Sequence, residues 1–306
     1  MKWPLALLLA PTLLLAGMSP VDDTPPPTGS VNLEETLLST WRASIQGAEW
    51  RSPTTVERES LQEVTGALLA GANSCDGGLL ADAERRLSAI DFTLTVLPST
   101  PRVLLVHEKD ENRGAGVFAI RCGPARPVVW QAPHAFFDRW TGRIVRRVFI
   151  ESGVRAAFWN TVHRHRSWAG EDPNDDVHPA DVTREYGSTF HAVTVAVAAA
   201  DPALRFVQVH GFDATERGMN IILSTGQREE PPLALARSLS KDYAPVGAFG
   251  EDTDILGATG NVQGKALSRT PGRFLHLELA LDLRESLAED PARRSNFLSL
   301  LEAGGW

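Results

Sequence analysis

Apolar positions along the chain fall into two textures. From residue 31 to Gly71 they recur every three to four residues, most clearly at Leu61, Val64 and Leu68, which predicts helix that Gly71 terminates. A shorter helix is predicted over residues 80–90. Phe92, Leu94 and Val96 then alternate with Thr93 and Thr95, as a strand requires. Residues 102–108 and 116–122 flank a polar segment and read as a hairpin. Past Pro127, short apolar runs at 128–131, 155–162, 204–210 and 219–223 alternate with helical stretches at 144–151, 184–200 and 233–239. That alternation predicts an α/β core over residues 128–306, with a mixed, mainly parallel sheet flanked by helices. Residues 31–127 form an N-terminal helical and hairpin extension to it.

The N-terminus has a pattern of its own. Lys2 precedes an apolar run over residues 5–16, and residues 20–30 are rich in Pro, Asp and Thr. Residues 1–19 read as a secretory signal peptide and 20–30 as a Pro-rich spacer. The expectation is a secreted or periplasmic protein with no membrane attachment after cleavage. Export makes a disulfide between Cys75 and Cys122 the expected state of the two cysteines.

Composition narrows the chemistry. The 38 acidic residues outnumber the 30 basic ones, for a net charge of -8, which argues against nucleic acid as a partner. Two cysteines cannot build a four-thiolate site, so a metal would have to be held by carboxylates and the eight histidines. Open α/β sheets place their sites at the carboxyl ends of strands. Run 128–131 leads through Ala132 and Pro133 to His134, with Asp138 four residues on, and run 204–210 ends in His210 before Gly211. Two imidazoles and a carboxylate leave an open position on zinc for water. In the later strand around Glu278, Leu275, Leu277, Leu279 and Leu281 share one face, while His276 and Glu278 share the other. A carboxylate there requires a partner, and a general base beside a metal has one. The polar segment 163–183 is long for a compact domain and is expected to border the cleft.

These residues resemble a family. Gln131-Ala132-Pro133-His134, Phe158-Trp159-Asn160-Thr161-Val162-His163-Arg164, Phe190-His191, Val207-Gln208-Val209-His210-Gly211 and Leu277-Glu278-Leu279 with Leu283-Arg284 occur in that order. The series is similar to the zinc carboxypeptidase-like superfamily, which has a phosphorylase/hydrolase-like fold, and within it to N-formylglutamate amidohydrolases and phage-type poly-γ-glutamate hydrolases. Gly257-Ala258-Thr259-Gly260-Asn261 is similar to a Gly-x-x-x-Asn stretch of the latter. The resemblance implies zinc held by His134, Asp138 and His210, with Glu278 as catalytic base. It further implies Arg164, His191 and Asn261 at the substrate. The activity implied is hydrolysis of an amide bond in an N-acyl or γ-linked amino acid or small peptide that bears a carboxylate. Two departures, Asp138 where these families prefer Glu and the missing Asn-Arg dipeptide, keep open a non-catalytic secreted binding or envelope protein on a decayed fold. A different enzyme would use His163 and His165 as a metal pair in a β/α barrel, for which the chain from residue 128 is too short.

Overall fold

The computed structural model describes residues 33–43, 50–109, 113–165, 178–212 and 218–306. The expected leader and spacer over 1–30 lie outside the described residues, as do 166–177 of the polar segment. No helix among the described residues is long and apolar enough to cross a membrane.

The single helical span expected from residue 31 to Gly71 is two helices, α1 (Leu33–Ala43) and α2 (Thr55–Ala70). Thr54 starts the second. Its hydroxyl accepts from the amide of Glu57, whose carboxylate accepts from the amide of Thr54, a capping box that satisfies two otherwise orphaned donors. After α3 (Gly77–Ser88) come β1 (Phe92–Leu97), β2 (Val103–Glu108) and β3 (Val117–Arg121), which pair antiparallel in sequence. The expected hairpin is therefore present, and β1 extends it. The remaining elements are β4 (Arg126–Ala132), α4 (Thr141–Ser152), β5 (Val154–Trp159), α5 (Thr189–Ala200), β6 (Arg205–Phe212), β7 (Ile221–Ser224), α6 (Leu233–Tyr243), β8 (Val246–Ala248), α7 (Val262–Leu267), β9 (Phe274–Ala280), α8 (Leu281–Glu289) and α9 (Pro291–Ala303). The helix expected from residue 184 begins only at Thr189, where the Ser188 hydroxyl caps it.

All nine strands form one sheet in the order β1-β2-β3-β5-β4-β6-β9-β7-β8. It is mixed. The pairs β4–β5, β4–β6, β6–β9 and β7–β8 are parallel, and the other four are antiparallel, so parallel pairing does not dominate. Residues 92–121 supply three strands to this same sheet, because β3 pairs with β5.

Helices cover both faces. On one, Ile144, Val148 and Phe149 of α4, Leu239 of α6, Leu287 of α8 and Phe297 of α9 pack against Trp130, Val207, Leu275, Leu277 and Leu279. On the other, Leu61, Leu68, Phe190 and Val193 pack against Phe92, Phe118, Phe158 and Phe206. Burying side chains of this size stabilises the fold by about 1.5–3 kcal/mol each. Period-two alternation in β9 thus sends Leu275, Leu277 and Leu279 into one core and leaves His276 and Glu278 on the opposite face, as expected. Leu281 does not continue the leucine row; it opens α8 and is exposed.

The cysteines are joined: Cys75 and Cys122 form a disulfide across 47 residues. It ties the turn between α2 and α3 to the end of β3.

Candidate metal centre

Strand register builds the site. Gln131 of β4 stands beside Gln208 of β6, which stands beside His276 of β9. Two residues further toward the carboxyl ends, His210 stands beside Glu278. Because side chains repeat with period two, these residues form two successive polar rows on one face of the three central strands. His134 sits just beyond the end of β4, in a turn where its carbonyl accepts from the amides of Phe137 and Asp138. That turn brings the Asp138 carboxylate back beside His134 Nδ1.

Three acceptor atoms converge there. Asp138 Oδ2 lies 3.5 Å from His134 Nδ1 and 3.3 Å from His210 Nδ1, and all three side chains are buried. Ligand atoms of His134, Asp138 and His210 lie within 4.8 Å of one another, a spacing that could hold a metal ion. A second group, His210, His276 and Glu278, meets the same limit.

The far side of each imidazole is occupied. His134 Nε2 donates to Asp181 Oδ1 at 2.8 Å, and His210 Nε2 to Gln208 Oε1 at 3.0 Å. A ring nitrogen that donates on one side of a neutral imidazole leaves a lone pair on the other. Both lone pairs then face Asp138 Oδ2, with the Arg164 guanidinium 3.4 Å from that of His134, and a cation or a proton between the imidazoles and the carboxylate would satisfy the arrangement. The outer hydrogen bonds are those that orient metal-binding histidines.

Electrostatics agree with this charge arrangement. Burial alone would lower the His134 pKa, but hydrogen bonds and charges from Asp138 and Asp181 outweigh it and hold it above the usual value. Burial would likewise raise Asp138 and Asp181. The imidazoles of His134 and His210 hold the first well below the carboxylate range, and His134, Arg164 and Thr183 do the same for the second. His210 is pushed down by burial, and His276 well down by burial and the neighbouring His210.

A cavity of about 300 Å³ opens beside these residues. His134, His210, His276, Glu278 and Asn261 reach it, as do Arg164, Thr183 and Arg184. Gly257 and Gly260 supply its wall, and a Cβ on Gly260 would stand 3.3 Å from the Arg184 guanidinium.

The structure separates the expected substrate residues. Arg164 lines the cavity, but it forms an ion pair with Asp181 Oδ2 and lies 3.4 Å from His134 Nδ1. Asn261 also lines it with both ends of its amide engaged, accepting from the amide of Gly264 at 2.8 Å and donating to Gln208. His191 is not among the lining residues; its ring packs edge-on against Tyr186. His163 and His165 are exposed beside Phe137, away from the cavity lining, and the open sheet is not a barrel. Asp181, Thr183, Arg184 and Gln208 carry no site role in the sequence reading. Asp181 and Thr183 lie in the polar segment already expected at the cleft, and an Asp-x-Thr pair at its end is the available signal.

Fold and site together define a three-layer α/β protein with a buried histidine and carboxylate cluster at the carboxyl ends of its parallel strands. No family model matches the chain, and no curated protein is matched. Among solved structures, it is similar to YndL in a zinc-free form, at 14% identity over 70% of this chain and 89% of that one, TM-score 0.38. N-formylglutamate amidohydrolase from Ralstonia eutropha JMP134 aligns at 18% identity over 63% and 98%, TM-score 0.37. Succinylglutamate desuccinalase from Vibrio parahaemolyticus aligns at 13% over 70% and 79%, TM-score 0.41.

Proposed function

We propose that the protein is an exported, zinc-dependent hydrolase of an amide bond. Its substrate would be an N-acyl or γ-linked amino acid or small peptide that bears a carboxylate. The observation that carries this reading is the convergence of His134 Nδ1, His210 Nδ1 and Asp138 Oδ2, with both Nε2 atoms engaged behind them. These three residues would hold the ion. Two imidazoles and one carboxylate suit zinc and leave a position open. When bound, the ion supplies Lewis acidity that acidifies water and polarises an amide carbonyl.

The chain's own residues do the rest. Glu278, beside His210 and on the cavity wall, takes the proton from the attacking water on its carboxylate and returns it to the leaving nitrogen. Arg164 holds Asp181, and Asp181 holds His134, so the guanidinium expected at the substrate serves the centre instead. Arg184 takes over the substrate role. It borders the cavity, forms no ion pair with any described residue, and offers a planar fork that matches a carboxylate. Export is supported by the Cys75–Cys122 disulfide, since such bonds persist in oxidising compartments.

The test is hydrolysis of a panel of N-acyl and γ-linked glutamates and their amidated counterparts by zinc-loaded protein. The reading predicts turnover of the acidic members and its loss by at least about 100-fold in Glu278→Gln, within the range general-base catalysis contributes. Arg184→Ala should raise KM for acidic substrates more than it lowers kcat. No turnover across the panel by protein with stoichiometric zinc would favour a binding role instead.

A further inference from the structure

The hydrogen bonds behind His210 form a directed chain with a fixed starting point. A backbone amide can only donate, so the Gly264 N–H settles that Asn261 presents its oxygen to α7. The Asn261 nitrogen must then face Gln208, and the Gln208 atom that receives it must be Oε1. The same oxygen lies 3.0 Å from His210 Nε2, which therefore carries the proton. The other end runs consistently. Gln208 Nε2 donates to Gln131 Oε1 at 3.0 Å, and Gln131 Nε2 donates to the Thr194 hydroxyl at 2.8 Å. Thr194 donates in turn to the carbonyl of Phe190 at 2.7 Å. Gln131, Gln208 and Thr194 are fully buried, so water does not compete for these groups.

We infer that Asn261 and Gln208 are positioning residues that fix His210 in the Nε2–H tautomer and so keep a lone pair on Nδ1 facing Asp138. This rests on the metal-centre reading above for its purpose, though not for its observation. His134 and His210 are then oriented by different means. His134 is held by the Asp181 carboxylate, which can only accept when ionised, whereas His210 is held by a neutral amide whose direction is imposed from the N-terminus of α7. A neutral amide adds no second negative charge beside Asp138. It also makes the tautomer depend on a residue outside the donor set.

The two substitutions that distinguish this from simple packing are Asn261→Asp and Gln208→Glu. Aspartate caps a helix as well as asparagine does, so α7 keeps its start. It cannot donate to Gln208, whose amide should turn to donate to it, with Gln131 turning in step to donate to the Gln208 oxygen and to accept from the Thr194 hydroxyl. His210 Nε2 then meets a donor, and Nδ1 takes up the proton. Glutamate at 208 can only accept when ionised, so Gln208→Glu should keep Nε2–H.

The experiment is long-range ¹H–¹⁵N correlation of the histidine rings in metal-free, ¹⁵N-labelled protein at pH 8, paired with zinc affinity by chelator competition. Wild type should show a protonated Nε2 and an unprotonated Nδ1 on His210, and Gln208→Glu should keep the Nε2 proton. Asn261→Asp should show it protonated and bind zinc about 10- to 100-fold more weakly, the range outer-shell changes produce. A protonated Nδ1 in wild type, or an unchanged ring in Asn261→Asp, overturns the inference, and the wild-type spectrum decides it even where a variant does not fold. Wild type with the expected tautomer but no zinc binding would sink the metal reading and leave the hydrogen-bond chain standing.

Discussion

Asp181 Oδ1 lies 2.8 Å from His134 Nε2, across 47 residues of sequence. The carboxylate is also engaged by the Thr183 hydroxyl at 2.7 Å and by Arg164, so its orientation is fixed before it meets the imidazole. Asp181→Asn would remove the charge while retaining the shape. Zinc affinity should fall about 10- to 100-fold with the fold intact. Chelator competition measures this, and an unchanged affinity would mean that Asp181 does not serve the centre.

The disulfide makes a separate prediction for stability. Closing a loop of 47 residues stabilises by about 4 kcal/mol in the chain-entropy picture, and native disulfides typically contribute 2–5 kcal/mol. Cys75→Ser with Cys122→Ser should therefore lower the urea midpoint by an amount equivalent to a few kcal/mol while leaving zinc content unchanged. A midpoint equal to wild type contradicts that view of the staple.

His191 gives the fold an acid-side weakness. Burial pushes its pKa down to about 4, against about 6.5 for an exposed imidazole. Between those values the unfolded chain takes up a proton that the folded chain refuses. The favourable balance is thus present above about pH 6.5 and is lost as pH falls toward 4. From pH 7 to 4.5, His191→Gln should lose less stability than wild type in urea unfolding. Parallel losses would show that the imidazole is not excluded from protonation.

Much of this architecture was legible where local pattern and tertiary role coincide. Short apolar runs ending in His134 and His210 gave both strand ends. Alternation in β9 put Glu278 opposite the leucine row, and four-residue spacing placed Asp138 beside His134. What escaped depends on long-range register. Gln131, Gln208 and His276 form a row only because three strands distant in sequence align. Asp181 is one of several acids in its segment, and only its packing against His134 distinguishes it. The break between α1 and α2 could have been read from Pro53, Thr54 and Glu57. β8, with three residues, is too short for periodicity to register.

Metal content tests the central claim most directly. Elemental analysis of purified protein, after dialysis against dilute zinc and then buffer, should find about one zinc per chain in wild type and in Glu278→Gln, and almost none in His134→Ala or His210→Ala. Such a pattern would place the ion on the histidines and leave the proton transfer to Glu278. Wild-type protein without zinc, or zinc undiminished in both histidine variants, would contradict the account.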